Sequence, residues 1–275
     1  MILVTGATGI VGRGVVKLLL EAGEGVTAVS RSPETAGLPE GATVVSQTTE
    51  LAGVDAMLIA PRAVGETTGE LLTAAAAQGV KRVVLLSAVT VEYGGGYERF
   101  AAAFKAAEKA VEASGLEWTF LRCADFAANN LAWAPQIRAT GAVRGAYGDA
   151  ATSSIHERDI AEVAVRALLD PSHAGRAYAL TGPESLSQHD KVRLIGEAIG
   201  TGLTFTEVPP EQVRAAMLAQ GMPEDVPDRM LGYLATCSEQ PGPSTDTVAR
   251  VLGRPALSYA DWAADHAADF GGGLS

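Results

Sequence analysis

The chain has 275 residues, 47% of them hydrophobic and 19% charged, which is enough for a large core and excludes a disordered chain. Its 32 acidic against 21 basic residues give a net charge of −11, and no basic run exceeds Lys81-Arg82, so neither a nucleic acid nor an anionic membrane surface is an expected partner. Two cysteines, Cys123 and Cys237, make no disulfide framework, and no leader or long apolar run precedes Gly6, so a reduced, cytoplasmic setting is expected.

Short β-rich runs alternate with helical patterns through the first half, the signature of βαβ units and a parallel sheet. Residues 2–5 read as a strand. Residues 11–22 carry apolar side chains at Val11, Val15, Leu18, Leu19 and Ala22, a helical spacing, and Gly23 closes it. Residues 25–30, 42–46 and 54–60 read as the next three strands, and 66–78 as a helix closed by Gly79. Residues 83–87 are almost wholly apolar, as in a strand covered on both faces. An Ala-rich helix over 100–114 and a strand over 118–122 follow.

Beyond residue 122 the rhythm changes. A helix is expected over 159–169 and a strand over 177–180. Ser187 with Asp190 forms a capping-box pattern opening a helix that closes at Gly200, and 205–208 reads as a strand. From Pro210 the chain is mostly helical, with a second capping box at Ser258 and Asp261. No linker or repeat divides it. The expected organisation is an α/β, Rossmann-type doubly wound parallel sheet over 1–155 with a smaller, mostly helical and interleaved substrate lobe over 156–275.

The segment Gly6-Ala7-Thr8-Gly9-Ile10-Val11-Gly12 joins the first strand to the first helix. Gly6 allows a tight turn, Gly9 lets backbone approach a pyrophosphate, and Gly12 lets helix pack closely on strand. The amides of the helix start then face phosphate oxygens, with the helix dipole behind them. Strand before and helix after are the context this motif requires. At the end of the second strand stands Ser30-Arg31-Ser32, where a free 2′-hydroxyl would call for an acid. A guanidinium pairs with a 2′-phosphate by two parallel hydrogen bonds, so NADP(H) is the expected cofactor and NAD(H) the alternative.

On these residues the chain resembles the NmrA-like branch of the atypical short-chain dehydrogenases. The resemblance is carried by the glycine turn, Arg31, Leu85-Leu86-Ser87-Ala88, Glu108, Ser114-Gly115-Leu116-Glu117-Trp118-Thr119, Leu121-Arg122, Phe126, Asn129 and Asp159-Ile160-Ala161. It implies that the glycine turn and Arg31 hold the cofactor phosphates and that Ala60, Pro61 and Arg62 line the adenosine side. It places Ser87 and Ala88 at the C-terminal sheet edge and the stretch from Cys123 to Phe126 near the nicotinamide, with the C-terminal lobe over the substrate. The chain also departs from the family. Short-chain dehydrogenases pair a tyrosine with a lysine four residues on, which lowers the phenol pKa for proton donation. Four residues after Tyr93 and Tyr97 stand Tyr97 and Ala101. A basic residue usual four places before Glu108 is here Phe104, with Lys105 one residue on, and the usual proline after Arg122 is Cys123.

Candidates for chemistry remain. Lys105 would polarise a substrate carbonyl or bind ribose, against the reading of a solvated lysine on an amphipathic helix. Tyr93 and Tyr97 flank Gly94-Gly95-Gly96, a loop able to carry a phenol over the substrate, with a plain surface loop as the alternative for Tyr93. Phe126, Asn129, Asn130 and Trp133 outline a substrate pocket with an aromatic wall, or, for the two aromatics, core packing. His156 reads as a capping or packing residue rather than a general acid, and Cys123 as a small buried hydrophobe rather than a redox sensor. His173, His189 and His266 lack ligand spacing, so no metal is expected.

The expected function is an NADPH-dependent reductase acting on a ketone, quinone or activated alkene of a hydrophobic aromatic or polyketide-like molecule. The proton would come from water, Tyr97 or the substrate's own phenol. The alternatives are a non-catalytic NADP(H) redox sensor with a protein partner, and a cyclase or isomerase on the same fold.

Overall fold

The computed structural model describes residues 1–46, 51–94 and 98–272. Strand β1 (Ile2–Val4) leads into helix α1 (Ile10–Glu21), followed by β2 (Val26–Val29) and β3 (Ala42–Val45). The chain then crosses to the other side of β1 as β4 (Ala56–Ile59), short α2 (Pro61–Val64), α3 (Thr68–Ala77) and β5 (Arg82–Ala88). Short α4 (Thr90–Tyr93), long α5 (Glu98–Ala113) and β6 (Glu117–Cys123) come next. These strands pair in parallel in the order β3-β2-β1-β4-β5-β6. Between β1 and β4 the winding reverses, and crevices for ligands open at such a point beyond the carboxyl ends of strands.

Alternation along each strand feeds two cores. In β1, Ile2 and Val4 pack with Val15, Leu19, Ile160 and Ala164 on one face, while Leu3 joins Met57, Ile59, Leu72 and Val83 on the other. All eleven are at most 3% exposed, and each of the side chains larger than alanine contributes roughly 1.5–3 kcal/mol. Both faces are covered, which is why the central strands read as nearly continuous apolar runs.

After β6 come a 3-10 turn over Ala127–Trp133, helix α6 (Ala134–Thr140) and β7 (Ala142–Gly145). Helix α7 (Glu157–Leu169) and β8 (Arg176–Leu180) follow, then α8 (Gln188–Ala198) and β9 (Thr204–Glu207). The chain ends in α9 (Pro210–Ala219), α10 (Asp225–Glu239), α11 (Thr247–Leu252) and α12 (Tyr259–Asp265). The capping boxes at Ser187/Asp190 and Ser258/Asp261 both form.

A cut at residue 155 does not follow the packing. Buried Ile160, Val163, Ala164 and Ala167 of α7 join the α1 core, and β8 pairs with β6 from Thr119↔Arg176 to Cys123↔Leu180 as the seventh strand. The smaller lobe instead begins near residue 127. It gathers the parallel pair β7–β9 with α6, α8 and α12 around Trp262, Phe270, Ile137 and Ile195. Among the described residues, no helix is long and apolar enough to cross a membrane.

Candidate functional site

At the exit of β1, Thr5 accepts the Ala60 amide at 2.8 Å and donates to the Leu58 carbonyl at 3.0 Å, which locks the ends of β1 and β4 together. Gly6 then takes φ +64°, and a Cβ there would stand 2.9 Å from the Ala60 methyl. Any other residue would be strained and crowded. Gly12 is more constrained still, since its Cβ would fall 2.2 Å from the Gly6 carbonyl oxygen. The turn thus lies tight against the helix, with Gly9 as its N-cap and no side-chain cap or acid in the first turn. The amides of Ile10, Val11 and Gly12 have no intrahelical acceptor and carry the positive end of the dipole.

These amides border a cavity of about 840 Å³. Of the residues singled out in the sequence, Gly6, Thr8, Gly9, Ile10, Val11, Gly12, Arg31, Ala60, Arg62 and Phe126 line it. Ser30, Ser46, Leu86 and the α3 residues Glu70, Leu71 and Ala74 are also on its wall. Pro61 lies on a neighbouring cleft, with Arg62 on the boundary of both. One residue that sequence reasoning missed braces this wall. Arg13 donates to the carbonyls of Thr8 (3.0 Å), Gly37 (2.7 Å) and Ala36 (2.8 Å), joining the glycine turn to the loop that follows Arg31. Nothing in a lone arginine on a helix signals that the far loop folds back onto it.

At the ends of β5 and β6 stands an ion-pair cluster. Arg122 grips Glu108 through two hydrogen bonds, Nε to Oε1 at 3.0 Å and a terminal nitrogen to Oε2 at 2.8 Å, and also reaches Glu92 at 3.1 Å. Ser87 donates to Glu108 Oε1 at 2.6 Å. Glu108 is only 6% exposed, and its hydrogen bond holds the Arg122 pKa above the usual guanidinium value. The cluster clamps α5 and α4 onto the strand ends and engages the Ser87 hydroxyl, so Ser87 and Ala88, both buried, do not line the cavity. Cys123 is likewise turned into the α1 core, its thiol 3.5 Å from the Leu121 carbonyl, and burial pushes its pKa far up. Such a thiol is a packing group rather than a sensor.

Lys105 is exposed on α5 and lines neither cavity, whereas its neighbour Phe104 lines the second. The 100° step between adjacent helical positions separates them. Tyr93 ends α4, exposed, and Tyr97 lies outside the described residues.

Phe126 stands on the cavity wall, its backbone bridged to Ile155. The Asn130 amide donates to the Tyr259 hydroxyl at 2.6 Å, tying the 3-10 turn to α12. Trp133 packs on the lobe core, and Asn129 is exposed. Beside Phe126, Asp125 anchors the lobe: it accepts from Thr152 (2.9 Å) and Ser154, and Lys191 of α8 lies 3.5 Å away, also donating to Thr152. Lys191 is 1% exposed, and desolvation lowers its pKa. His156 caps α7 by accepting the Arg158 amide at 3.2 Å, and Asp159 accepts the Leu257 amide at 2.8 Å while pairing with Arg254.

Comparison with known proteins adds to this geometry. The model of a family described as NAD(P)H-binding matches residues 6–171. A (4-alkanoyl-5-oxo-2,5-dihydrofuran-3-yl)methyl phosphate reductase of Streptomyces griseus subsp. griseus is 37% identical over 284 residues, covering 98% of this chain and 99% of its own. An NAD(P)H azoreductase of Xenophilus azovorans is 33% identical over 286 residues, with the same coverage. Among solved structures, an NADPH-dependent quinone oxidoreductase from Escherichia coli complexed with NADPH superposes with a TM-score of 0.81 at 25% identity, over 96% of this chain and 99% of that one.

Proposed function

The chain belongs to the NAD(P)H-binding family, in the NmrA-like class its motifs resemble, and from that premise we propose that it is an NADPH-dependent reductase of a conjugated acceptor in a hydrophobic small molecule. The observation that carries the reading is the glycine turn opening on the 840 Å³ cavity. A dinucleotide fits the residues present. The crowding at Gly6 and Gly12 leaves backbone, not side chains, on that wall, and the free amides of α1 suit a diphosphate. Arg31 is exposed on the same wall with no ion-pair partner among the described residues, free to take a 2′-phosphate.

When bound, the nicotinamide would supply a hydride, and the chain's part is to orient it. The acceptor class follows from the proton. No tyrosine in the sequence is followed four residues later by a lysine, so the usual phenol donor is not built in. A hydride added to a quinone or to the β-carbon of an unsaturated carbonyl leaves a hydroquinone anion or an enolate. Either takes its proton from water. A simple ketone leaves a far more basic alkoxide and asks for a protein acid. The relatives' names fit this preference: a 5-oxo-2,5-dihydrofuran, an azo group and a quinone are all unsaturated acceptors.

The test follows NADPH absorbance with menadione, an α,β-unsaturated lactone and cyclohexanone. Oxidation with the first two and not the third is expected. Arg31→Ala should weaken NADPH binding about tenfold or more, by loss of charge-assisted hydrogen bonds, and leave NADH binding within about twofold. NADPH that binds yet keeps its absorbance with every acceptor would make the protein a redox sensor instead.

A further inference from the structure

Next to the dinucleotide cavity, and sharing Arg62 with it, lies a cleft of about 740 Å³ that the mechanism above leaves unused. One side is the face of α5 that presents Phe100, Ala103, Phe104, Ala107 and Ala110 at helical spacing. Phe100 and Phe104 meet edge to face at 4.8 Å, and the alanines leave room beside them. The other side brings cations together. Arg229 of α10 lies 4.6 Å over the Phe100 ring, Arg62 of α2 lines the cleft with it, and Arg99 joins them from the start of α5 itself. In a chain of net charge −11, three arginines line one apolar cleft. None of the three forms an ion pair with a described residue, although Glu66 and Asp225 also reach the rim. Arg229 is half-buried, and burial together with the charge of Arg62 holds its pKa below the usual guanidinium value. Two cations that disfavour one another across an apolar wall are relieved by an anion between them.

We infer that this cleft holds the non-reacting part of the substrate, an amphipathic anion whose phosphate or carboxylate pairs with Arg229 and Arg62 while its apolar arm lies on Phe100, Phe104 and the alanine face. This rests on the reductase reading for the word substrate; the ligand chemistry stands on the cleft alone. Binding energy from such a remote group is available to orient the reacting centre.

The test is a fluorescence titration in saturating NADPH with two probes of one shape, 8-anilinonaphthalene-1-sulfonate and the neutral N-phenyl-1-naphthylamine. The sulfonate should bind once per chain. Arg229→Met, which keeps the stem over Phe100, should weaken it about tenfold or more and change the neutral probe and NADPH by less than about twofold. Phe104→Ala should weaken both probes. Octyl phosphate, octanoate and octanol as competitors then separate the anion classes: phosphate ahead of carboxylate assigns a phosphate ester, the reverse a carboxylate. Equal affinity of the two probes, displacement by octanol as effective as by either anion, or an unchanged sulfonate affinity in a folded Arg229→Met protein would overturn the inference. So would displacement of the sulfonate by self-association, read by sedimentation, because the cleft would then be an interface between copies. The titration reads without turnover, so a protein that binds the sulfonate here but never oxidises NADPH refutes the reductase reading and not the cleft.

Discussion

Two glycines three residues apart separate the ligand's demand on the turn from the fold's own. At Gly9 the backbone sits at φ −73°, ψ 167°, ordinary for alanine, and an added Cβ would meet only the Gly6 carbonyl oxygen, at 3.2 Å. Replacing glycine gains about 0.4–1 kcal/mol from the unfolded chain. Alanine is also a poorer N-cap by about 1 kcal/mol, so the two terms nearly cancel. The new methyl group stands on the cavity wall where the diphosphate must come close. At Gly12 the Cβ would lie 2.2 Å from the Gly6 oxygen and 2.8 Å from the Ala7 Cα, and neither backbone atom yields without moving the turn. Overpacking of this kind costs about 3 kcal/mol or more, which for a chain of this length lowers Tm by about 6 °C or more. The expected pair of results is therefore Gly9→Ala with Tm within about 2 °C of the parent and NADPH binding weakened about tenfold or more, and Gly12→Ala with a much lower Tm. Thermal melts and NADPH fluorescence titration read both. A Gly9→Ala protein that binds NADPH like the parent would refute the placement of the diphosphate over this turn.

Arg122→Met should lower stability by about 3 kcal/mol, because it strands the buried Glu108 carboxylate, and adding Glu108→Gln should restore most of it; denaturant melts of the cycle measure the coupling. The pair between His266 and Glu157 (2.7 Å) should make stability depend on pH. The Glu157 hydrogen bond, reinforced by Asp269 against burial, raises His266 to about 8 from 6.5, so its contribution of about 1 kcal/mol is complete below pH 6.5 and lost as pH rises through about 8. Burial raises Glu157, but its bonds to His156 and His266 outweigh this and bring it to about 2 from 4.5, so acid removes its contribution only as pH falls from about 4.5 through 2. A His266→Gln protein whose melting point falls between pH 6 and 9 as much as the parent's would refute the first assignment.

The sheet, the conformation of the glycine turn and the position of Arg31 on the cavity wall were legible because each depends on local chemistry: alternating apolar runs, three glycines at fixed spacing, a strand end. Glu108 and Arg122 were visible only as parts of a resemblance, since two residues fourteen apart do not announce a two-pronged ion pair until α5 is packed back onto the end of β6. The edge strand β8 was read as a strand but not placed, because short parallel strands acquire their partners through crossovers that leave no sequence mark. Lys105 shows the limit in the other direction. One residue of offset from the pattern turned it 100° from the face that Phe104 presents.

The same offset bears on how the acceptor is chosen. With Phe104 rather than Lys105 on its cleft face, α5 offers apolar and aromatic contact there, and two of the three cleft cations come from other elements, Arg62 after β4 and Arg229 from α10, with Arg99 at the start of α5. Asp125 and Lys191 fix the β6 exit to the lobe through buried hydrogen bonds that add no charge to the dinucleotide cavity. A site arranged in this way selects by what the acceptor carries at a distance, and leaves the reacting centre to whatever conjugation makes its reduced anion stable in water.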